Sequence, residues 1–381
     1  MVTTSYSSMI SSFISLFLFS SLLASQSLSA ATATKHYVDH AKGGKEQIPL
    51  AKGLEWAFYD NSCPQVETII RKHLEEVFEQ DIGLAAGLLR IHFHDCFVQG
   101  CDGSVLLDGT AANPSEQQAP PNLSLRRGAL RAINDLQALI QEECGDQVVS
   151  CADIAAIAAR DAVHLSGGPK YHIPLGRKDS LTFATQATVS SNLPSPFSNA
   201  TKILTLLATK GLDAIDTVAL SGAHTIGLSH CFSFLPRLYP TQDPNLDPTL
   251  AAKLKIVCPT TTSTNTTDMD SLTPNTFDNK YYVNLVERRG LFTSDNDLFV
   301  ENVTKGIVES FADDQELFFD KFVKAMIKMG QVGVLTGTLG EIRLNCSSAN
   351  AAGVDGSVAS DVVLETVVDD AEGVPLRDEL K

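Results

Sequence analysis

The chain has 381 residues, with 29 basic side chains against 45 acidic ones, a net charge of −16. So acidic a protein is unsuited to binding a phosphate backbone, and no nucleic-acid partner is expected. Hydrophobic residues make up 44%, and about 290 residues remain once the ends are trimmed, enough for one large domain or two interlocked lobes.

In chain order, the first thirty residues carry no charged side chain; Lys35 is the first. Residues 9–24 are apolar and are followed by Ser25, Ser27, Ser29 and Ala30, so residues 1–30 read as a secretory signal cleaved around 27–30. This stretch lacks a basic start. It is too short and serine-broken for a membrane anchor, and no other segment is expected to span a membrane. Residues 31–53, polar and containing lysine and glycine, read as a flexible N-terminal extension before a domain at 54–346. Eight cysteines in a chain with a signal argue for four disulfides rather than zinc or thiol catalysis, and the sequence alone leaves 105 connectivities open.

Apolar spacing predicts helices at 66–80, 125–143, 151–165, 200–210, 215–221, 248–257, 279–289, 304–313 and 316–330. Strand-like alternation is scarce, so the fold class expected is all-α with long ordered loops. Between the first two of these helices, the apolar run from Leu84 to Leu89 continues into Arg90-Ile91-His92-Phe93-His94-Asp95-Cys96-Phe97-Val98-Gln99-Gly100-Cys101-Asp102-Gly103-Ser104. On a helix Arg90 and His94 share a face with Phe93 beside them, while His92 points away. After Cys96 the chain reads as a loop, with the oxygen donors Asp95, Asp102 and Ser104 suited to a hard cation. A His-x-His-x-Asp metallohydrolase site would need both imidazoles on one metal, which helical spacing forbids. A second cluster is Leu220-Ser221-Gly222-Ala223-His224-Thr225-Ile226-Gly227, where Gly222 and Ala223 leave room for a bulky planar group against the backbone. A third is Asp270, Thr273, Thr276 and Asp278, again oxygen donors at loop spacing.

Together these blocks resemble the secretory plant haem peroxidases (class III) from about Phe58 to Cys346. The resemblance is carried by Leu89-Arg90-Ile91-His92-Phe93-His94-Asp95-Cys96-Phe97-Val98, Val149-Ser150-Cys151-Ala152-Asp153, Pro174-Leu175-Gly176-Arg177, Leu220 to Gly227, and Phe277-Asp278-Asn279-Lys280-Tyr281-Tyr282. It implies two helical lobes gripping one haem b (heme b) between a distal and a proximal helix. It also implies that hydrogen peroxide is reduced to water while small phenolic donors are oxidised in one-electron steps. His94 would move the peroxide proton, Arg90 would stabilise the departing hydroxide, Asn122 would hold His94, and Phe93 would pack over the haem. His224 would be the axial iron ligand, with Asp295 accepting its second ring proton.

The same resemblance implies two calcium ions. The distal one would use Asp95, Val98, Gly100, Asp102 and Ser104, with Glu116 coupling through water; the proximal one would use Thr225, Asp270, Thr273, Thr276 and Asp278. Pro194 would contact aromatic reductants at the haem edge. The implied disulfides are Cys63–Cys144, Cys96–Cys101, Cys151–Cys346 and Cys231–Cys258, and closing the three long loops among them is worth about 3–5 kcal/mol each in the chain-entropy model. A monomer is expected. The sequons at Asn199, Asn265 and Asn302 are expected to carry glycans, and those at Asn122 and Asn345 not to.

Two features depart from the family pattern. The extension before Phe58 is long, and the 35 residues after Cys346 form a tail, 347–381, with eight acids and two bases. Its end, Arg377-Asp378-Glu379-Leu380-Lys381, resembles an endoplasmic-reticulum retrieval signal but closes on lysine, so retention is not expected. The expected localisation is the secretory pathway and the cell wall, with the vacuole as the alternative for a chain carrying a C-terminal extension. The alternative function is a catalytically silent wall or storage glycoprotein on the haem fold, against which stand the intact Arg90, His94, Asn122, His224 and Asp295.

Overall fold

A computed structural model describes residues 37–38 and 48–351. The expected signal at 1–30 and the tail beyond residue 351 lie outside the described residues. Within them the fold is all-α, as the apolar spacing predicts: twelve α-helices, short 3₁₀ turns, and strands of two or three residues.

The helices fall into two sets. Helices α1 (Val66–Gln80), α2 (Gly83–Val98), α3 (Arg127–Cys144) and α4 (Cys151–Leu165) pack on one another. In α1 the buried Val66, Ile70, Leu74 and Phe78 recur every fourth residue and form a single stripe. By contrast α2 is buried almost all round, and the alanines of α4 (Ala155, Ala156, Ala158, Ala159, Ala162) let the two backbones approach. Ser150 starts α4, its hydroxyl accepting from Asp153 N at 3.2 Å.

Helices α5 (Gln186–Asn192) and α6 (Ala200–Ala208) lead to the second set: α7 (Ala214–Ser221), α9 (Lys280–Val286), α10 (Thr293–Val300), α11 (Asn302–Asp313) and α12 (Gln315–Met329). Here α7 packs on α12, and α11 touches α7, α9, α10 and α12. Helix α8 (Pro248–Val257) belongs to a smaller hydrophobic cluster with Phe234, Leu238 and Met269. Strand β1 (Tyr37–Val38) pairs in parallel with β2 (Lys170–Tyr171), and β3 (Leu228–His230) is antiparallel to β4 (Thr266–Asp268).

Helices α5 and α10 are absent from the sequence reading, for a local reason. Both are short, and Gln-Ala-Thr-Val-Ser-Ser-Asn and Thr-Ser-Asp-Asn-Asp-Leu-Phe-Val carry too few apolar residues to show a period. Side chains start them instead: Thr185 Oγ1 accepts from Thr188 N at 3.2 Å, and Asp295 Oδ2 accepts from Phe292 N at 3.0 Å. Helix α2 also runs two residues past Cys96, where a loop was expected.

The eight cysteines form Cys63–Cys144, Cys96–Cys101, Cys151–Cys346 and Cys231–Cys258. The domain edges at 53 and 347 fall inside packed chain. Ala51 N donates to Gln331 Oε1 at 2.6 Å, and Thr336 Oγ1 donates to Lys52 O at 2.9 Å. Asp108 N donates to Ser347 O, and the Asn350 side chain bridges Leu344 N and Ile342 O. Among the sequons, Asn122 is buried and Asn199, Asn265, Asn302 and Asn345 are exposed.

Candidate active site

Arg90, Phe93 and His94 lie on the middle turns of α2. Arg90 Nε donates to His94 Nε2 at 3.2 Å, as expected for residues four apart on one face. The other guanidinium nitrogens are held by the loop before α3: Nη2 by Pro121 O at 2.9 Å, Nη1 by Ser124 O and Oγ at 3.1 and 3.0 Å. The same loop reaches His94, whose Nδ1 lies 2.6 Å from Asn122 Oδ1. Asn122 Nδ2 donates to Glu116 O at 2.8 Å, which fixes the amide with its oxygen toward the ring. This network assigns the proton to Nδ1 and leaves the Nε2 lone pair as the acceptor of the Arg90 bond. Burial, and then the Arg90 charge, pull the His94 pKa down to about 3 against the opposing Asn122 bond, so the ring is neutral across physiological pH. Burial also lowers Arg90 to about 10, which leaves it protonated at neutral pH. Phe93 stands edge-on to His94 and Phe97, with centroids 5.1 and 4.6 Å away.

His92 faces the other way, toward the Cys96 sulfur at 3.7 Å and the Arg177 charge; burial first, then Arg177, lowers its pKa to about 3. The two imidazoles diverge, so no metal could join them.

His224 sits in the 3₁₀ turn Gly222–Thr225 directly after α7. Its Nδ1 lies 2.7 Å from Asp295 Oδ1, on the first turn of α10, and its ring meets the edges of Tyr281 and Phe292 at 6.0 and 5.4 Å. With Nδ1 committed, Nε2 is the nitrogen left to coordinate, which suits an axial haem ligand. The glycine beside it has a different cause from the one expected. A side chain at Gly222 would meet the Tyr282 hydroxyl and the Phe318 ring, so packing of α7 against α9 and α12 requires it, not a planar group. The two histidine clusters come together where Gly227 approaches Ala86, one helical turn before Arg90; a β-carbon at Gly227 would stand 2.9 Å from that of Ala86.

The first oxygen cluster closes on the end of α2. Asp95 accepts from Gly103 N and Val105 N at 2.9 and 3.3 Å, and Asp102 accepts from Ser104 N at 3.0 Å. Val98 ends the helix, where carbonyls lack helical partners. Gly100, at φ +138°, lies against the Gly333 backbone, which admits no side chain. Burial and the Asp102 charge push the Asp95 pKa well above the carboxylate range, and burial lifts Glu116 to about 7. Two buried oxygens beside these acids, Ser104 Oγ and Glu116 Oε2, lack a hydrogen bond. Crowded buried carboxylates with orphaned oxygens fit a hard cation.

In the second cluster Thr225 Oγ1 lies 3.2 Å from Asp270 Oδ2, 3.2 Å from Asp278 Oδ1 and 3.5 Å from Thr276 O, and Thr273 Oγ1 lies 3.1 Å from Asp278 Oδ1. One hydroxyl proton cannot serve three acceptors, so this donor set also fits a cation. Among the described residues no three of His, Cys, Asp and Glu converge as a ligand set. Hydroxyls and carbonyls would therefore supply much of either shell, as hard cations accept.

Pro194 follows α5, which packs on α2, and two residues later Pro196 O accepts from Ser294 N of α10 at 3.0 Å. The segment thus spans both helix sets. A groove of about 650 Å³ lies elsewhere, lined by Ala51, Lys210, Asp216, Lys324, Lys328 and Gln331, and none of Arg90, His94 or His224 borders it. Sequence reasoning missed Pro121, Ser124 and Tyr281. The first acts through a carbonyl, which side-chain identity does not encode, and Tyr281 Oη donates to Asp295 Oδ1 at 3.0 Å.

Residues 70–314 match the family model described as peroxidase. Peroxidase 12 of Arabidopsis thaliana is 59% identical over 324 residues, covering 85% of this chain and 90% of that protein. Cationic peroxidase SPC4 of Sorghum bicolor is 55% identical, covering 88% and 92%. Peroxidase 10 of Arabidopsis thaliana is 44% identical, covering 78% and 87%.

Proposed function

The chain belongs to the plant peroxidase family and is a haem peroxidase, and on that premise we propose which of its residues do the work. The silent-glycoprotein reading is not favoured, since named peroxidases match the chain at 55–59% identity over most of its length. The haem would supply the redox chemistry, giving two electrons to peroxide and recovering them one at a time from two donor molecules. The observation that carries the assignment is the His94 Nε2 lone pair, aimed at Arg90 Nε from a ring whose Nδ1 is locked by Asn122.

His94 takes a proton from one peroxide oxygen and returns it to the departing one, which a ring neutral at rest can do. Arg90, held by Pro121 and Ser124, stabilises the negative charge that develops on the departing oxygen without moving to do so. Phe93 limits what reaches the reacting centre. His224 would hold the iron through Nε2, and Asp295, 2.7 Å from its Nδ1, would make it a stronger donor. The chain would hold one haem b and two calcium ions, the calcium at the Asp95–Asp102–Ser104 and Thr225–Asp270–Asp278 clusters. Hydrogen peroxide and small phenols are the substrates, the phenols approaching beside Pro194.

Four disulfides support folding in an oxidising compartment, and hence the secretory pathway with delivery to the wall or the vacuole. No helix of the described residues is long and apolar enough to cross a membrane. The test is to purify the protein with haem, record its absorption spectrum and assay peroxide-dependent phenol oxidation. Protein that binds haem and shows no turnover would overturn the assignment of His94 and Arg90.

A further inference from the structure

The Asp295 carboxylate has more donors than an imidazole partner requires. Oδ2 accepts from Phe292 N at 3.0 Å, while Oδ1 accepts from both His224 Nδ1 at 2.7 Å and Tyr281 Oη at 3.0 Å. Asp295 and Tyr281 are both buried. A phenol facing a carboxylate in such a place can only donate. Nor is the Tyr281 ring free to turn away: it stands edge-on to Tyr282 at 5.0 Å, whose own hydroxyl is fixed by Val218 O of α7 at 2.9 Å. Two donors on one oxygen share its charge, so each bond weakens the other.

We infer that Tyr281 is a positioning residue for the peroxidase reaction: by sharing Asp295 Oδ1 with His224, its hydroxyl limits how much negative charge the carboxylate lends to the imidazole. This rests on the reading of His224 as the iron ligand. Without the phenol, the charge of Oδ1 concentrates on the His224 bond, the ring becomes more imidazolate-like, and the oxidised iron is favoured over the reduced. Tyr281 thus offsets Asp295 and keeps iron reduction within reach.

The experiment is a redox titration of the haem-loaded protein, together with the iron–imidazole stretching frequency of its ferrous form. Tyr281→Phe keeps the buried ring and removes only the donor. It should shift the ferric–ferrous equilibrium constant toward ferric about two- to tenfold, the span of one ordinary hydrogen bond, and raise the stretching frequency. Asp295→Asn should shift both further and in the opposite direction, and Tyr281→Phe added to it should then change neither. Fluorotyrosine at 281, a stronger donor of the same shape, should move the equilibrium toward ferrous, and it serves if Tyr281→Phe folds poorly. If Asp295→Asn moves the equilibrium while Tyr281→Phe and fluorotyrosine leave it in place, the inference falls and the His224 reading stands. If none of them moves it, the His224 reading falls and takes the inference with it.

Discussion

The two histidines His94 and His224 are the same side chain in the same ring orientation problem, and what meets Nδ1 separates them. At His94 the partner is the neutral amide of Asn122, 2.6 Å away, itself pinned by a backbone carbonyl. At His224 it is the carboxylate of Asp295, 2.7 Å away. An amide can orient a ring without lending it charge, so the distal imidazole stays weakly basic and ready to pass a proton on. A carboxylate lends charge, which suits the His224 imidazole to the proposed role of a strong donor to metal. Burial follows the same division. His94 is 4% exposed, which excludes bulk water from its lone pair, whereas the His224 side chain is 40% exposed in the chain alone, leaving a face for a large planar group.

The largest effect is expected from removing the distal partner entirely. His94→Ala leaves His224 and Asp295 in place, so haem should bind as in the wild type. The group that moves the proton is lost, and the rate constant for reaction with peroxide should fall about 10²–10⁴-fold, roughly 3–5 kcal/mol of barrier. Arg90→Leu should cost on the order of 10²–10³-fold, and the pair together less than the product, since both act on one transition state. Stopped-flow measurement at limiting peroxide checks this. A rate within threefold of wild type for His94→Ala would remove His94 from the mechanism.

A smaller effect is expected from making the distal site resemble the proximal one. In the wild type the folded His94 pKa lies near 3, below the ordinary 6.5. The peroxide rate should therefore stay level from neutral pH downward and fall only toward pH 3. Linkage has the same sign. The unfolded chain binds protons on His92 and His94 below about 6.5 while the folded one resists until about 3, so stability should be lost as pH falls through that window. Asn122→Asp puts a carboxylate against Nδ1 and favours the charged ring. The acid limb of the rate profile should move toward neutral pH, with a loss of about tenfold at pH 6 if the pKa rises to about 7. An acid limb left near pH 3 would show that the Asn122 partner does not set the state of His94.

Much of this comparison could be read from the chain. Local spacing predicted the Arg90–His94 pair, because a helix brings residues four apart together. It predicted most helices wherever one apolar stripe faced the core, and α1, α4 and α8 have the expected ends. Spacing could not bring Asn122 to His94 or Asp295 to His224, pairs separated by 28 and 71 residues. Only resemblance to the family pointed to them. Pro121, Ser124 and Tyr281 lay beyond both kinds of reading. A carbonyl leaves no mark in a side-chain pattern, and a tyrosine in an apolar helix looks like any core aromatic until its hydroxyl is located.

The oxygen clusters tie both histidines to the same backbone, Asp95 following His94 and Thr225 following His224. Withdrawing cations should thus loosen both sides at once. With four disulfides intact the chain should stay folded while melting several degrees lower, and peroxide turnover should drop a few-fold. Exhaustive chelation, confirmed by metal analysis, that changes neither the absorption spectrum nor turnover would break the assignment of both clusters. Retained turnover of the Thr225→Val variant, which removes the single hydroxyl facing three acceptor oxygens, would break the proximal one alone.

The smallest effect is expected where neither histidine is touched, provided the cut respects the structure rather than the composition. The acidic tail begins by charge after Cys346, yet the next few residues are part of the body. Ser347 O accepts from Asp108 N, and Asn134 Nδ2 donates to Ser347 Oγ at 2.9 Å. Asn350 Oδ1 accepts from Leu344 N at 3.0 Å, its Nδ2 donates to Ile342 O at 2.9 Å, and its N donates to Glu341 Oε1 at 2.9 Å. The Asn350 bonds fall on either side of Arg343, which is fully buried and donates through Nη2 to Gly103 O beside the distal oxygen cluster. Truncation after Ala351 should leave specific activity and melting temperature unchanged, because every one of these bonds survives. Truncation after Cys346 removes five of them. It should lower the melting temperature by several degrees, at about 1 kcal/mol for each well-formed bond lost in part, and should weaken calcium retention at the Asp95 cluster before it alters haem binding. Thermal unfolding and metal analysis of the two truncations, side by side, decide the matter. If the shorter chain keeps both its melting temperature and its calcium, Asn350 and Ser347 are ornaments on the fold; if the longer one loses activity while loaded with haem, the residues beyond 351 reach the site.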